Sequence, residues 1–176
     1  SLMQIENAMV KKGSTQSDVK KAVDAATEQR TSFLADENRV SDQNIVAAVT
    51  RMFYEDIVKD QQPVGFYGTL KNTYGPLDDD ATYKKYAADI FKNTMILDDT
   101  KWKAFIANPD AVTLQSDPAF AYASAFYTNY SSKYLPYFQQ FNAKNADMGR
   151  LYLKGIMEMD PVKAKMMYPD ATSTMR

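Results

Sequence analysis

Between residues 41 and 57 the order SDQNIVAAVTRMFYEDI sets Ile45, Val49, Met52, Phe53 and Ile57 three and four apart, the spacing that gathers side chains on one face of an α-helix. The pattern predicts a helix opening near Ser41, with that stripe turned to a core and Asp42 complementing the dipole of the first turn. A short helix is expected over 2–12, stopped by Gly13. A second, capped by Ser14 or Ser17, places Val19, Val23, Ala26, Phe33 and Leu34 near one face. Pro63 suits the first turn of a fourth, which Gly75-Pro76 ends. LDDDATYKKYAADIFKNTM predicts a fifth with Tyr83, Tyr86, Ala87, Ile90 and Phe91 inward, and Asp98 or Asp99 caps a sixth carrying Trp102, Phe105 and Ile106. From Asp117-Pro118 apolar periodicity then runs to about Met159. Roughly 40 residues of helix would measure about 60 Å, so this element must bend, break or project. Pro136 predicts a kink, and NAKNADMG at 142–149 is a second weak point.

No alternating apolar pattern competes with these helices. The fold class is all-α, a helical bundle with one long kinked C-terminal helix. At 176 residues and 45% apolar content the chain reads as one domain with a core of its own. No run of about 18 apolar residues could cross a bilayer. With 21 basic and 22 acidic side chains, the total charge implies no phosphate-tracking surface, so neither nucleic acid nor a membrane is expected as a partner.

The chain has no cysteine and no histidine. Ser-His and Cys-His dyads are therefore excluded, the usual zinc ligands are absent, and carboxylate, lysine or tyrosine chemistry remains. No cofactor is expected. Asp78, Asp79 and Asp80 read as a solvated helix start rather than a metal site, because consecutive side chains diverge and Ile90 stands where a calcium loop needs glutamate. Glu55 with Asp56, and Glu158 with Asp160, find no second group that would make them an acid and base. The distinctive feature is an aromatic series, Phe120, Tyr127, Tyr130, Tyr134, Tyr137, Phe138 and Phe141. Tyr127, Tyr130, Tyr134 and Phe138 form a stripe expected to be buried, and Tyr122, Phe126 and Tyr137 fall off it as candidates to line a cleft.

YPDATSTMR at 168–176 resembles the Tyr-Pro-Asp-Ala-Asn-Ser-Thr-Met/Leu-Arg segment of the bacterial dipeptidyl peptidase 7/11 family of serine exopeptidases, with Thr172 where asparagine is usual. DDTKWKAFIANP, then DPAF, then GRLYLKGIMEMD follow one another in the family's order. The resemblance implies the inserted helical cap of a chymotrypsin-like double β-barrel peptidase, with 1–167 as a partial cap region and 168–176 as a turn and strand re-entering the barrel. Tyr168, Pro169, Asp170, Ser173, Thr174 and Arg176 would form that re-entry motif, in a structural role. No catalytic residue carries over, because none of the triad motifs is present.

What the resemblance implies is a non-catalytic region whose parent removes dipeptides from peptide amino termini. Its partners would be the catalytic barrel of the same chain and the peptide substrate, and a homodimeric parent is compatible with it. The parent would be periplasmic or extracellular, with its export signal outside this sequence, since Gln4, Glu6 and Asn7 interrupt any signal-like apolar core. The alternative is a free-standing exported module that binds peptide or glycan, with the tyrosine series as its groove.

Overall fold

Hydrogen-bonding side chains at helix starts set most of the boundaries. In the computed structural model, which describes residues 2–166, Thr15 rather than Ser14 or Ser17 caps the second helix. Its hydroxyl accepts from the Asp18 amide while the Asp18 carboxylate accepts from the Thr15 amide, a reciprocal box that neither serine is spaced to make. Asn38, not Ser41, caps the third helix by accepting from the Ser41 amide. Asp79, Asp98 and Asp110 do the same for the three helices that follow them.

The helices are α1 (Leu2–Val10), α2 (Gln16–Asp36), α3 (Arg39–Asp56), α4 (Phe66–Tyr74), α5 (Asp80–Asn93), α6 (Asp99–Ala107), α7 (Ala111–Ser116), α8 (Pro118–Lys133), α9 (Leu135–Met159) and α10 (Pro161–Ala164). Short 3-10 turns, Lys59–Gln61 and Met95–Leu97, join α3 to α4 and α5 to α6. No strand occurs among the described residues, and the protein is all-α as its periodicity implied. No helix among them is long and apolar enough to cross a membrane.

Pro63 lies before α4 instead of inside it, because Gly65 at φ 73° starts the helix from the left-handed region. Gly75 ends α4 at φ 127°, and a Cβ there would come within 3.1 Å of the Thr82 hydroxyl. The short α7 was not expected from the sequence.

The chain divides into two compact units, one up to Tyr130 and one from Ser131 on. Two apolar clusters fill the first. Leu2 and Ile5 of α1, Val23 and Ala26 of α2, Trp102 of α6 and Leu114 of α7 belong to one. Ala47 of α3, Tyr67 and Leu70 of α4, and Tyr83 and Ala87 of α5 form the other. The expected stripe of α3 is inward only in part: Phe53 packs on the second cluster, but Ile45, Val49 and Met52 are 58%, 51% and 56% exposed, while Ala47 and Thr50 are buried. Small residues win the inward face because α3 and α5 pack closely, which Ala47 against Ala87 allows and two large aliphatics would not.

In the second unit the expected kink is a one-residue interruption between α8 and α9. Tyr134 keeps right-handed backbone angles, φ −110° and ψ −45°, and α9 restarts at Leu135 with Pro136 in its first turn, where a missing amide donor costs nothing. The segment 142–149, read as weak, stays helical throughout. No residue of α9 is buried. The boundary expected at 167–168 lies outside the described residues, as do Tyr168, Pro169, Asp170, Ser173, Thr174 and Arg176.

Candidate functional site

Thr50 sits fully buried on α3, and the aromatic residues of four helices close over it. Its hydroxyl donates to the Val46 carbonyl at 2.6 Å, so the 3.1 Å contact with the Tyr122 hydroxyl is one in which Tyr122 donates. The Tyr67 hydroxyl donates to the Thr50 carbonyl at 2.9 Å. Phe66 is the hub, with ring centroids 5.0 Å from Tyr67, 5.8 Å from Tyr86, 6.0 Å from Tyr122 and 5.0 Å from Phe126. Such edge-on pairs each add about 0.5–1.5 kcal/mol beyond the area they bury, so the cluster is rigid.

Tyr122 and Phe126, the two cleft candidates on α8, thus lie together at 4.8 Å within this cluster. The third, Tyr137, is in the second unit and 73% exposed. The stripe expected inward is instead outward: Tyr127, Tyr130 and Phe138 are exposed and Tyr134 is half-buried. Tyr122, Phe126 and Asn129 are also four and three apart, on another face of α8, and they prevail because the interior offers them partners. Thr50 meets the Tyr122 hydroxyl, and the Gln61 carbonyl accepts from the Asn129 amide at 2.8 Å.

The phenols are held in their neutral form. Burial raises Tyr67, Tyr86 and Tyr122 above the usual tyrosine range. Burial, followed by the hydrogen bond to Asp89, pushes Tyr74 up to about 12, and burial pushes Tyr83 up to about 12. At neutral pH they are uncharged and do not act as bases, and the hydroxyls of Tyr67, Tyr74 and Tyr83 donate to the Thr50 carbonyl, Asp89 and the Leu77 carbonyl. The carboxyls whose titration is clearly displaced move the other way. Asp80 is held low by its bond from Lys84 and then by Arg51, Asp99 by Arg30, Asp110 by Thr113, and Asp18 by the Thr15 amide. None of these four is raised toward the neutral form a general acid requires. Asp79 and Asp80 are occupied with the start of α5 and with Lys84 and Arg51, as a solvated helix start would be.

Two polar features lay beyond the sequence pattern. Asp117 is buried, and its carboxylate accepts from the amides of Ala119 and Phe120 at the start of α8, from the Met95 amide at 2.6 Å and from the Thr94 hydroxyl. Aspartate before proline signals the cap, but nothing in the spacing signals a partner 22 residues upstream. Arg30 donates to the Ile96 carbonyl and to Asp99, with its guanidinium carbon 5.4 Å from the Trp102 ring centroid. An open groove of about 970 Å³, lined by Met9, Val19, Val23, Ile106 and Pro109 among others, runs between α1–α2 and the α6–α7 connection. Its polar lining includes Ser14, Thr15, Lys20 and Asp24.

The sequence pattern of peptidase S46 matches residues 2–176. The chain belongs to the peptidase S46 family. It is also similar to the Asp/Glu-specific dipeptidyl-peptidase of Flavobacterium psychrophilum, at 24% identity over 178 residues. That similarity covers 99% of the chain and 23% of the relative, so the chain spans about a quarter of the curated relative it matches. No solved structure matches it. The S46 assignment agrees with the resemblance carried by YPDATSTMR and extends it over the N-terminal half, where only helical pattern had pointed.

Proposed function

We propose that this S46 chain is a non-catalytic helical cap region of a serine-type dipeptidyl peptidase, which covers the active-site cleft and restricts it to chain ends. The observation that carries the reading is the pairing of a family match over 2–176 with a similarity to only 23% of a dipeptidyl-peptidase. Beside it stand described residues that form helices and no strand, and a sequence without histidine or cysteine. The serine, its base and the oxyanion donors belong, on this reading, to the rest of the parent.

The physical task of a cap follows from the reaction. A dipeptidyl peptidase binds only two residues before the scissile bond, so it must block the cleft beyond them and keep water out while the acyl-enzyme forms. The rings packed on Phe66 give the first unit the stiffness that such a wall requires. Residues 168–176 would return the chain to the catalytic part, and the parent would act in the periplasm or outside the cell. Side-chain preference would be set by residues of the parent outside this chain.

The test is to assay the parent with and without the helical region on a dipeptidyl reporter with a free amino terminus and on its N-acetylated, longer counterpart. The reading expects the intact parent to accept only the free terminus. Loss of the region should relax that selectivity while acylation by a serine-directed phosphonate persists. Unchanged selectivity in a variant that still reacts with the phosphonate would overturn it.

A further inference from the structure

The exposed side of α3 is built to be covered. From Ser41 to Met52 it presents Ser41, Asn44, Ile45, Ala48, Val49 and Met52, three turns without one ionisable side chain. The opposite side, Val46, Ala47, Thr50 and Phe53, is already packed on the second apolar cluster. A surface helix keeps one apolar face and one charged face; a helix apolar on both belongs inside a larger body. The charges of α3 lie at its two ends, Arg39 and Asp42 in the first turn and Arg51, Glu55 and Asp56 toward the last, where Arg51 pairs with Glu55 and with Asp80 of α5.

We infer that the Ile45–Val49–Met52 face of α3 is the seat of an apolar element of the parent polypeptide lying outside residues 1–176. This rests on the reading of the chain as part of a longer peptidase. Two observations select that occupant. The matched relative is more than four times as long as the region aligned, so a parent of that length brings ample chain to cover the stripe. The stripe itself is small. Three half-exposed aliphatic side chains offer a few hundred Å² at most, against about 800 Å² per partner in a stable interface between separate chains. A patch of that size holds a tethered neighbour, which loses little translational freedom on docking, and it does not hold a free partner. The absence of charge agrees, since a patch that recruits a free partner gains from electrostatic steering.

Because residues 1–176 contain no cysteine, Val49→Cys gives this region a single thiol on the stripe, and Lys20→Cys on the exposed side of α2 gives a reference. Alkylation by a maleimide is followed by peptide mass mapping in the 176-residue chain and in the full-length parent. The expected result is rapid labelling of Val49→Cys in the 176-residue chain and labelling at least about tenfold slower in the parent, with fast reference labelling in the 176-residue chain. Equal rates in both proteins would overturn the inference. So would protection in the 176-residue chain, whether it grows with concentration, which would assign the face to a second copy, or does not, which would assign it to this chain itself. Dipeptide release by the same full-length protein separates the two proposals. Release with an unprotected Val49→Cys sinks the docking inference alone, and protection without release sinks the peptidase reading alone.

Discussion

Replacing Asp117 by alanine removes one carboxylate that serves two elements at once, and the structure sets the size of the loss. The helix α8 loses its cap, worth about 1 kcal/mol. The amides of Met95 and Phe120 are buried in these bonds, and each is left without an acceptor at about 1–3 kcal/mol unless water reaches it. Their sum, discounted for partial hydration of the gap, is about 3–5 kcal/mol. Asp117→Asn keeps an oxygen for α8 but turns an amide donor toward the Met95 donor, and should cost about 2 kcal/mol. Thr94→Val removes only a hydroxyl that reaches the same carboxylate, about 1 kcal/mol. Urea unfolding followed by the fluorescence of Trp102 measures all three, because it is the only tryptophan and lies in the cluster that Met95 and Phe120 share. A cost below about 1 kcal/mol for Asp117→Ala, or equal costs for Asp117→Ala and Thr94→Val, would refute the two-element role.

Tyr122→Ala should cost about 2–4 kcal/mol and Tyr127→Ala under about 1, and equal midpoints in parallel urea titrations would contradict the packing described for α8. Tyr74 and Tyr83 are pushed up to about 12 when folded, against the ordinary tyrosine value of 10.0 when unfolded. The stability they lend is complete below about pH 10 and declines as the pH climbs toward 12. Tyr74→Phe should flatten part of that decline in alkaline urea titrations, and an unchanged slope would exclude Tyr74 as a source. The 176-residue chain should fold as a helical protein by circular dichroism and release no dipeptide from a fluorogenic peptide. Turnover blocked by a serine-directed inhibitor would overturn the non-catalytic assignment.

Punctuation was the legible part of this sequence. Gly13, Gly75-Pro76, Asp98 and Asp117-Pro118 mark helix ends because each acts through its own backbone or its nearest amides. Facing was less legible. On α3 and on α8 two apolar stripes compete, and a helical repeat cannot say which one meets the core. On α3 the choice falls to Ala47 and Thr50, whose small size permits close approach to α5. On α8 it falls to Tyr122 and Asn129, whose polar tips find Thr50 and the Gln61 carbonyl. Both choices depend on residues distant in sequence, as does the link from Asp117 to Met95. Of the cleft candidates, Tyr122 and Phe126 share a cluster and Tyr137 lies in the other unit, so the sequence named chemically apt side chains without fixing where they gather.

The central claim is that this region confines a peptidase to chain ends. The most direct measurement is the ratio of kcat/KM for a free against an N-acetylated peptide, taken on the full-length parent and on a parent lacking the helical region that still reacts with a serine-directed phosphonate. The account predicts a large ratio for the intact enzyme that falls at least about tenfold without the region, a loss of about 1.4 kcal/mol or more in discrimination. The same ratio in both proteins would contradict it.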